Sequence, residues 1–270
     1  MIPAHSIVEG QTAGGRRPVM LVHGILGSQR NWRAFARQLV ERRPDLRLLL
    51  LDLRGHGDTP PAARPHTLAA CARDLGELAR LTGWPRAIIG HSFGGKVALT
   101  CAGAWKGLER VFVLDSPPGS SPGPEPGGAW PVSELVTRLS TLAMPVASRA
   151  EVTDALLAWG YEARLASWMV TNLRHTDGGL VWRFDLAVVR QLLTDYFATD
   201  MWPLLGDGKR GFDIHLLRGG RSEAWSAEDV ARLEALHRQG VLEHDVLPNA
   251  GHWLHADDPD GLASWLAERL

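Results

Sequence analysis

Gly90-His91-Ser92-Phe93-Gly94, backed by Gly95, lies between a short apolar run (Ala87-Ile88-Ile89) and a stretch with helical character (GGKVALTCAGA). A G-x-S-x-G segment placed between a strand and a helix leaves a chain few ways to fold. The serine must sit on a tight turn whose crowding is relieved by small neighbours. Its hydroxyl then projects from the carboxyl end of the strand, beside a helix N-terminus that favours negative charge. Ser92 is therefore the candidate nucleophile, and a serine that merely caps the helix is the structural alternative.

The rest of the chain fits such a turn. Apolar runs at 18–23, 46–53, 87–90, 110–114, 213–217 and 242–247 alternate with helical patterns at 29–42, 67–81, 95–104, 227–239 and from 259 to the end. This rhythm predicts an α/β fold, a mostly parallel sheet with helices on both faces. The strands run apolar without alternation, as strands covered on both sides do. Residues 116–131 (SPPGSSPGPEPGGAWP) break the pattern with a Pro/Gly-rich loop or hinge. From 132 to 205 the patterns are helical, with no clear strand. The expected organisation is a core of residues 1–119 and 208–270 with a helical cap of residues 120–207 inserted as a lid. Five tryptophans fall in it, Trp130, Trp159, Trp168, Trp182 and Trp202. Most are expected in the cap's own core, with one or two facing a substrate pocket.

A serine hydroxyl needs a base within hydrogen-bond reach. His252, in NAGHWLHADDP after the last strand, reaches the same sheet edge as Ser92; His255 is its rival. The loop His23-Gly24-Ile25-Leu26-Gly27-Ser28 follows the first clear strand. Backbone N–H groups of Ile25 and Phe93, the residue after the nucleophile, are the candidate oxyanion donors. The segment DLRGHGDT at 52–59 reads as a structural loop. Twenty-nine basic and 30 acidic residues are interspersed, which gives no footprint for nucleic acid or an anionic membrane. Two cysteines, Cys71 and Cys101, make no disulfide framework and no metal-ligand spacing. No apolar run approaches membrane-spanning length, and MIPAHSIVEG lacks the pattern of a signal peptide. The expectation is a cytoplasmic protein acting on a small molecule.

HGILGS, DLRGHGDT, GHSFGG and GHWLHADDP together, in this order and spacing, resemble the α/β-hydrolase superfamily from about residue 18 to the end, outside the cap. VFVLDSPPG at 111–119, WMVTNLR at 168–174, WRFDL at 182–186 and LLRGGRSEAW at 216–225 are similar to a group of small bacterial serine esterases and their plant relatives. The resemblance implies hydrolysis of a carboxylic ester or thioester through an acyl-serine, with no cofactor and no metal. The alternatives are a lyase or carbon–carbon hydrolase that uses the same triad, and a non-catalytic receptor that kept the pocket. A serine at the elbow disfavours dehalogenase and epoxide-hydrolase chemistry, for which the family places Asp there. In most relatives the triad acid follows the strand at 213–217, and the usual spacing would put it at position 222. Here Ser222 stands at that position, with Glu223 one residue off register. Asp115 ends the neighbouring strand, one inter-strand step of about 4.8 Å away. The resembled esterases carry their acid in the segment matching LDSPPG. Asp115 is the expected acid and Glu223 the alternative.

Overall fold

The computed structural model describes residues 1–60, 62–121 and 131–270. In chain order the elements are β1 (His5–Glu9), β2 (Val19–Val22), α1 (Arg33–Arg42), β3 (Arg47–Leu51), α2 (Leu68–Thr82), β4 (Ala87–His91), α3 (Phe93–Ala104) and β5 (Arg110–Leu114). Then come α4 (Pro131–Leu139), α5 (Arg149–Ala158), α6 (Ala163–Val170), β6 (Leu173–Thr176), β7 (Gly179–Trp182), α7 (Leu186–Ala198) and α8 (Trp202–Leu205). The chain ends with β8 (Asp213–Gly219), α9 (Ala227–Arg238), β9 (Glu243–Leu247), α10 (Leu254–Asp257) and α11 (Pro259–Arg269).

Seven strands form one sheet in the order β1-β3-β2-β4-β5-β8-β9, parallel except for β1, which pairs antiparallel with β3. The apolar runs have a direct cause. Met20, Val22, Leu49, Leu51 and Ile88 pack toward α2 and α3 on one face. Their alternates Val19, Leu21, Leu48, Leu50 and Ile89 pack toward α1 and α11 on the other. β2, β3 and β4 thus bury both faces. After β2 the chain turns outward to β3; after β4 it turns the other way to β5, although β2 and β4 are neighbours. Diverging connections of this kind open a crevice at the carboxyl ends of the strands. The 23–28 loop and Ser92 both lie there.

The segment between β5 and β8 buries a cluster of its own, including Leu135, Leu139, Leu156, Met169, Leu180 and Phe197. It differs from the all-helical expectation in one respect. β6 and β7 form an antiparallel hairpin in which Thr176 pairs with Gly179, so the turn residues are Asp177 and Gly178. Asp-Gly suits a two-residue hairpin turn, and this short signal is outweighed by the helical pattern on either side. β1 lies outside the sequence expectation as well. It is an edge strand with exposed and half-buried residues in alternation, and its five residues hold too little apolar periodicity to announce it. Of the Pro/Gly-rich stretch and the five tryptophans, residues 122–130, with Trp130, lie outside the described residues. Among the described residues no helix is long and apolar enough to cross a membrane.

Candidate active site

Ser92 joins β4 to α3 with φ 53° and ψ −122°, a left-handed conformation that costs a non-glycine residue about 1–3 kcal/mol. The surrounding packing holds it there. The Ser92 N–H donates to the Leu114 carbonyl at 2.9 Å and the Gly95 N–H to the Ser92 carbonyl at 2.8 Å. A Cβ on Gly90 would collide with the Gly94 carbonyl, so the strand can approach the helix this closely only at a glycine. Phe93 is the first residue of α3. Its amide therefore has no intrahelical acceptor and is free to serve a ligand.

Asp115 sits at the end of β5, also with positive φ, 44°, and is fully buried. Four donors converge on its carboxylate. Oδ1 accepts from the Gly219 N–H and the Trp225 indole N–H, both at 3.0 Å. Oδ2 accepts from the Ser222 hydroxyl at 2.5 Å and His252 Nδ1 at 2.6 Å. Taking a carboxylate out of water costs several kcal/mol unless donors replace the lost hydration, and here every lone-pair direction is used. Adjacent parallel strands explain the meeting: Leu114 of β5 lies beside Leu217 of β8, so Ser222, in the loop after β8, comes over the end of β5. Glu223 lies on the cavity wall, whereas His252 Nδ1 is engaged by Asp115. The structure brings Asp115, not Glu223, to His252. Nothing local in the sequence marks the Trp225 indole as the partner of a carboxylate so far away in the chain.

His252 is fixed from the backbone as well as the ring. His91 Nε2 lies 2.7 Å from the His252 carbonyl. A carbonyl accepts, so that nitrogen carries the proton. Burial holds the His91 ring well below the ordinary histidine range, with neighbouring His252 and His255 acting the same way. His255 stacks on Trp32 with ring centroids 4.1 Å apart, and burial pushes it down to about 4. Its packing against Trp32 and His91 is that of a structural residue.

The 23–28 loop is shaped by two buried histidines. His23 Nδ1 donates to the Gly24 carbonyl at 2.7 Å, and its Nε2 accepts the Leu53 N–H at 3.0 Å. The Gly24 carbonyl also accepts the Gly27 N–H at 3.1 Å. With the planar trans peptide, the Ile25 N–H must then point the opposite way. The next amide, Leu26 N–H, is taken by His56 Nε2 at 3.1 Å, while His56 Nδ1 donates to the Arg54 carbonyl at 2.9 Å. The DLRGHGDT loop is structural, as its turn chemistry predicts: through His56, and through Asp52, which accepts from Gln29 and Asp58, it braces the loop that carries Ile25. Burial pushes His56 down to about 3 and lowers His23 as well. The unfolded chain binds protons below pH 6.5 that the folded chain refuses. The contribution of His56 to stability is therefore complete above pH 6.5 and is lost as pH falls toward 3, by several kcal/mol in all. Denaturant midpoints should fall between pH 7.5 and pH 5, and His56→Gln should be less stable at pH 7.5 but flatter with pH. Equal slopes for the two proteins would contradict this.

A cavity of about 680 Å³ opens over these groups. Ser92, His252, Ile25 and Phe93 line it from the sheet side; Leu135, Leu165, Trp168, Leu193 and Phe197 line it from the segment between β5 and β8. Of the expected tryptophans Trp168 faces the cavity. Trp182 stacks on Phe184 and Trp159 packs in the same cluster, while Trp202 is buried against the sheet-side core. Lys96, one turn along α3 from Ser92, is buried and donates from Nζ to the carbonyls of Gly119, Tyr196 and Thr199 at 2.8–2.9 Å. It fastens the chain after β5 and the end of α7 to the helix behind Ser92, and burial pulls it down to about 8.

The comparisons with known proteins agree with this architecture. The profile of the Alpha/beta hydrolase family matches residues 19–265. The chain is 31% identical over 257 residues to the mouse (Mus musculus) sn-1-specific diacylglycerol lipase ABHD11, covering 92% of this chain and 80% of that protein. The protein of the same description from Xenopus laevis is 30% identical over 263 residues, covering 94% and 79%. Among solved structures, a marine microorganism esterase superposes with a TM-score of 0.83 at 22% identity, covering 100% of this chain and 99% of the other. An E-2-(acetamidomethylene)succinate hydrolase follows at 0.75 and 20%, covering 97% and 93%; at these identities both speak for the fold alone. With the family profile spanning almost the whole chain and the fold in agreement, the chain is a hydrolase and belongs to the alpha/beta hydrolase family.

Proposed function

We propose that this protein is a serine esterase that cleaves a carboxylic ester or thioester through an acyl-serine. The observation that carries the reading is the 2.6 Å contact between Asp115 and His252 beside a serine held in the left-handed elbow. Ser92 Oγ attacks the acyl carbonyl, and His252 Nε2 takes its proton. Asp115 holds the ring with Nδ1 protonated and stabilises the imidazolium that forms. The Ile25 and Phe93 amides receive the developing oxyanion. The leaving alcohol or thiol takes the proton back, and water, activated by the same imidazole, releases the acid. No step calls for a cofactor or metal ion.

The segment 120–207 serves in this reading as a lid over the site, and its apolar lining suits an acyl chain. The two cysteines are buried thiols whose proton affinity burial raises, in keeping with a reducing, cytoplasmic setting. Purified protein should turn over p-nitrophenyl esters, with a dependence on acyl length set by the cavity, and acyl thioesters of matching length. Tight ligand binding with no turnover across both series would mean a receptor instead.

A further inference from the structure

Asp257 lies at the end of α10, five residues after His252, and its side chain is 6% exposed. Each carboxylate oxygen has a different task. Oδ2 accepts the Gly251 N–H at 2.8 Å, closing the short span that carries His252 into a ring. Oδ1 pairs with Arg164, which projects from α6 of the inserted segment. Arg164 also lies over the Trp253 ring, 5.1 Å from its centroid. Trp168, one helical turn further along the same face, meets Trp253 at 5.6 Å. One face of α6 thus grips the residue after His252, and one carboxylate joins that grip to the residue before it. The far side of His252 is fixed to the sheet by His91. The side toward the inserted segment is fixed by Asp257.

We infer that Asp257 is a positioning residue that makes the placement of His252 depend on the docking of the inserted segment through Arg164. The inference rests on the reading of His252 as the base and goes beyond it. With Arg164 engaged, the carboxylate is drawn over the Gly251 amide and His252 is held toward Ser92. With α6 lifted, Asp257 loses its counter-charge, which relaxes the span. The pocket and the base are then completed together when substrate is enclosed.

The test compares kcat and KM on p-nitrophenyl butyrate for Arg164→Gln, Asp257→Asn, Asp257→Ala and the R164Q/D257N pair. Asn keeps an oxygen for the Gly251 amide but drops the charge; Ala removes both. Because Arg164 is half exposed, R164Q and D257N should each raise KM about two- to fivefold and lower kcat about twofold, and the double variant should be no worse than either single one. D257A should in addition lower kcat about tenfold, through misplacement of the base. Molar salt should raise the KM of the wild type toward that of R164Q and leave R164Q unchanged. D257A with the kcat of D257N, or additive effects in the double variant, would overturn the inference. If D257A fails to fold, the coupling between R164Q and D257N and the salt response still decide. His252→Ala separates the two layers. An inactive H252A beside a D257A that behaves like D257N sinks the inference alone; a fully active H252A sinks the reading beneath it.

Discussion

Ser92→Ala should lower turnover of an activated ester by about 10⁴- to 10⁶-fold and leave the fold intact. The size follows from what is removed. Without the hydroxyl no acyl-enzyme forms, and the remaining oxyanion donors and the cavity can assist only direct attack by water. The fold survives because the elbow is held by backbone bonds, Ser92 N–H to Leu114 and Gly95 N–H to Ser92, and by the packing of Gly90 on Gly94. Alanine has the same backbone preferences as serine at this φ. An unchanged unfolding transition beside the lost activity is therefore part of the expected result. An alanine variant that retains most of its turnover would remove Ser92 from the chemistry.

Asp115→Asn should lower turnover by roughly 10²- to 10⁴-fold, whereas Glu223→Gln should change it little. An amide in place of the carboxylate can present an oxygen to only part of a site lined by four donors, Gly219, Ser222, Trp225 and His252. Its NH₂ group would face either Trp225 and the Gly219 amide or Ser222 and His252. In the second orientation it favours the tautomer of His252 with the proton on Nε2, where no base remains for Ser92. Crowded donors also make this change cost stability, about 1–3 kcal/mol. Trp225→Phe leaves three donors and the charge, so it should weaken turnover less than Asp115→Asn. A reversed ranking of Asp115 and Glu223 would move the acid to the loop after β8.

The central strands were legible in the sequence because both of their faces are apolar, so Leu48–Leu51 and Ala87–Ile89 read as unbroken runs. The elbow was legible because its chemistry is local: a serine, its flanking glycines and the change from strand to helix adjoin in the chain. Asp115 was legible through the resemblance to esterases that carry their acid in the segment matching LDSPPG, and the spacing of parallel strands makes its displacement from position 222 a small one. Less legible were contacts that only the folded chain creates. Nothing near Trp225 marks its bond to Asp115, and nothing near His56 marks its hold on the Leu26 amide. Trp168 and Trp182 share one local character, yet one lines the cavity and the other fills the hairpin's core. The hairpin itself rests on Asp177-Gly178 alone, against helical patterns on both sides.

The most direct measurement is covalent labelling with a fluorophosphonate, followed by peptide mass mapping. An activated serine oxygen adds to phosphorus and expels fluoride, so the probe reads activation of the hydroxyl and not mere exposure. The account predicts a single adduct, on the peptide carrying Ser92, abolished in Ser92→Ala and strongly slowed in His252→Ala and Asp115→Asn. An unlabelled wild-type protein, or an adduct on another serine that persists in the Ser92 variant, would contradict it.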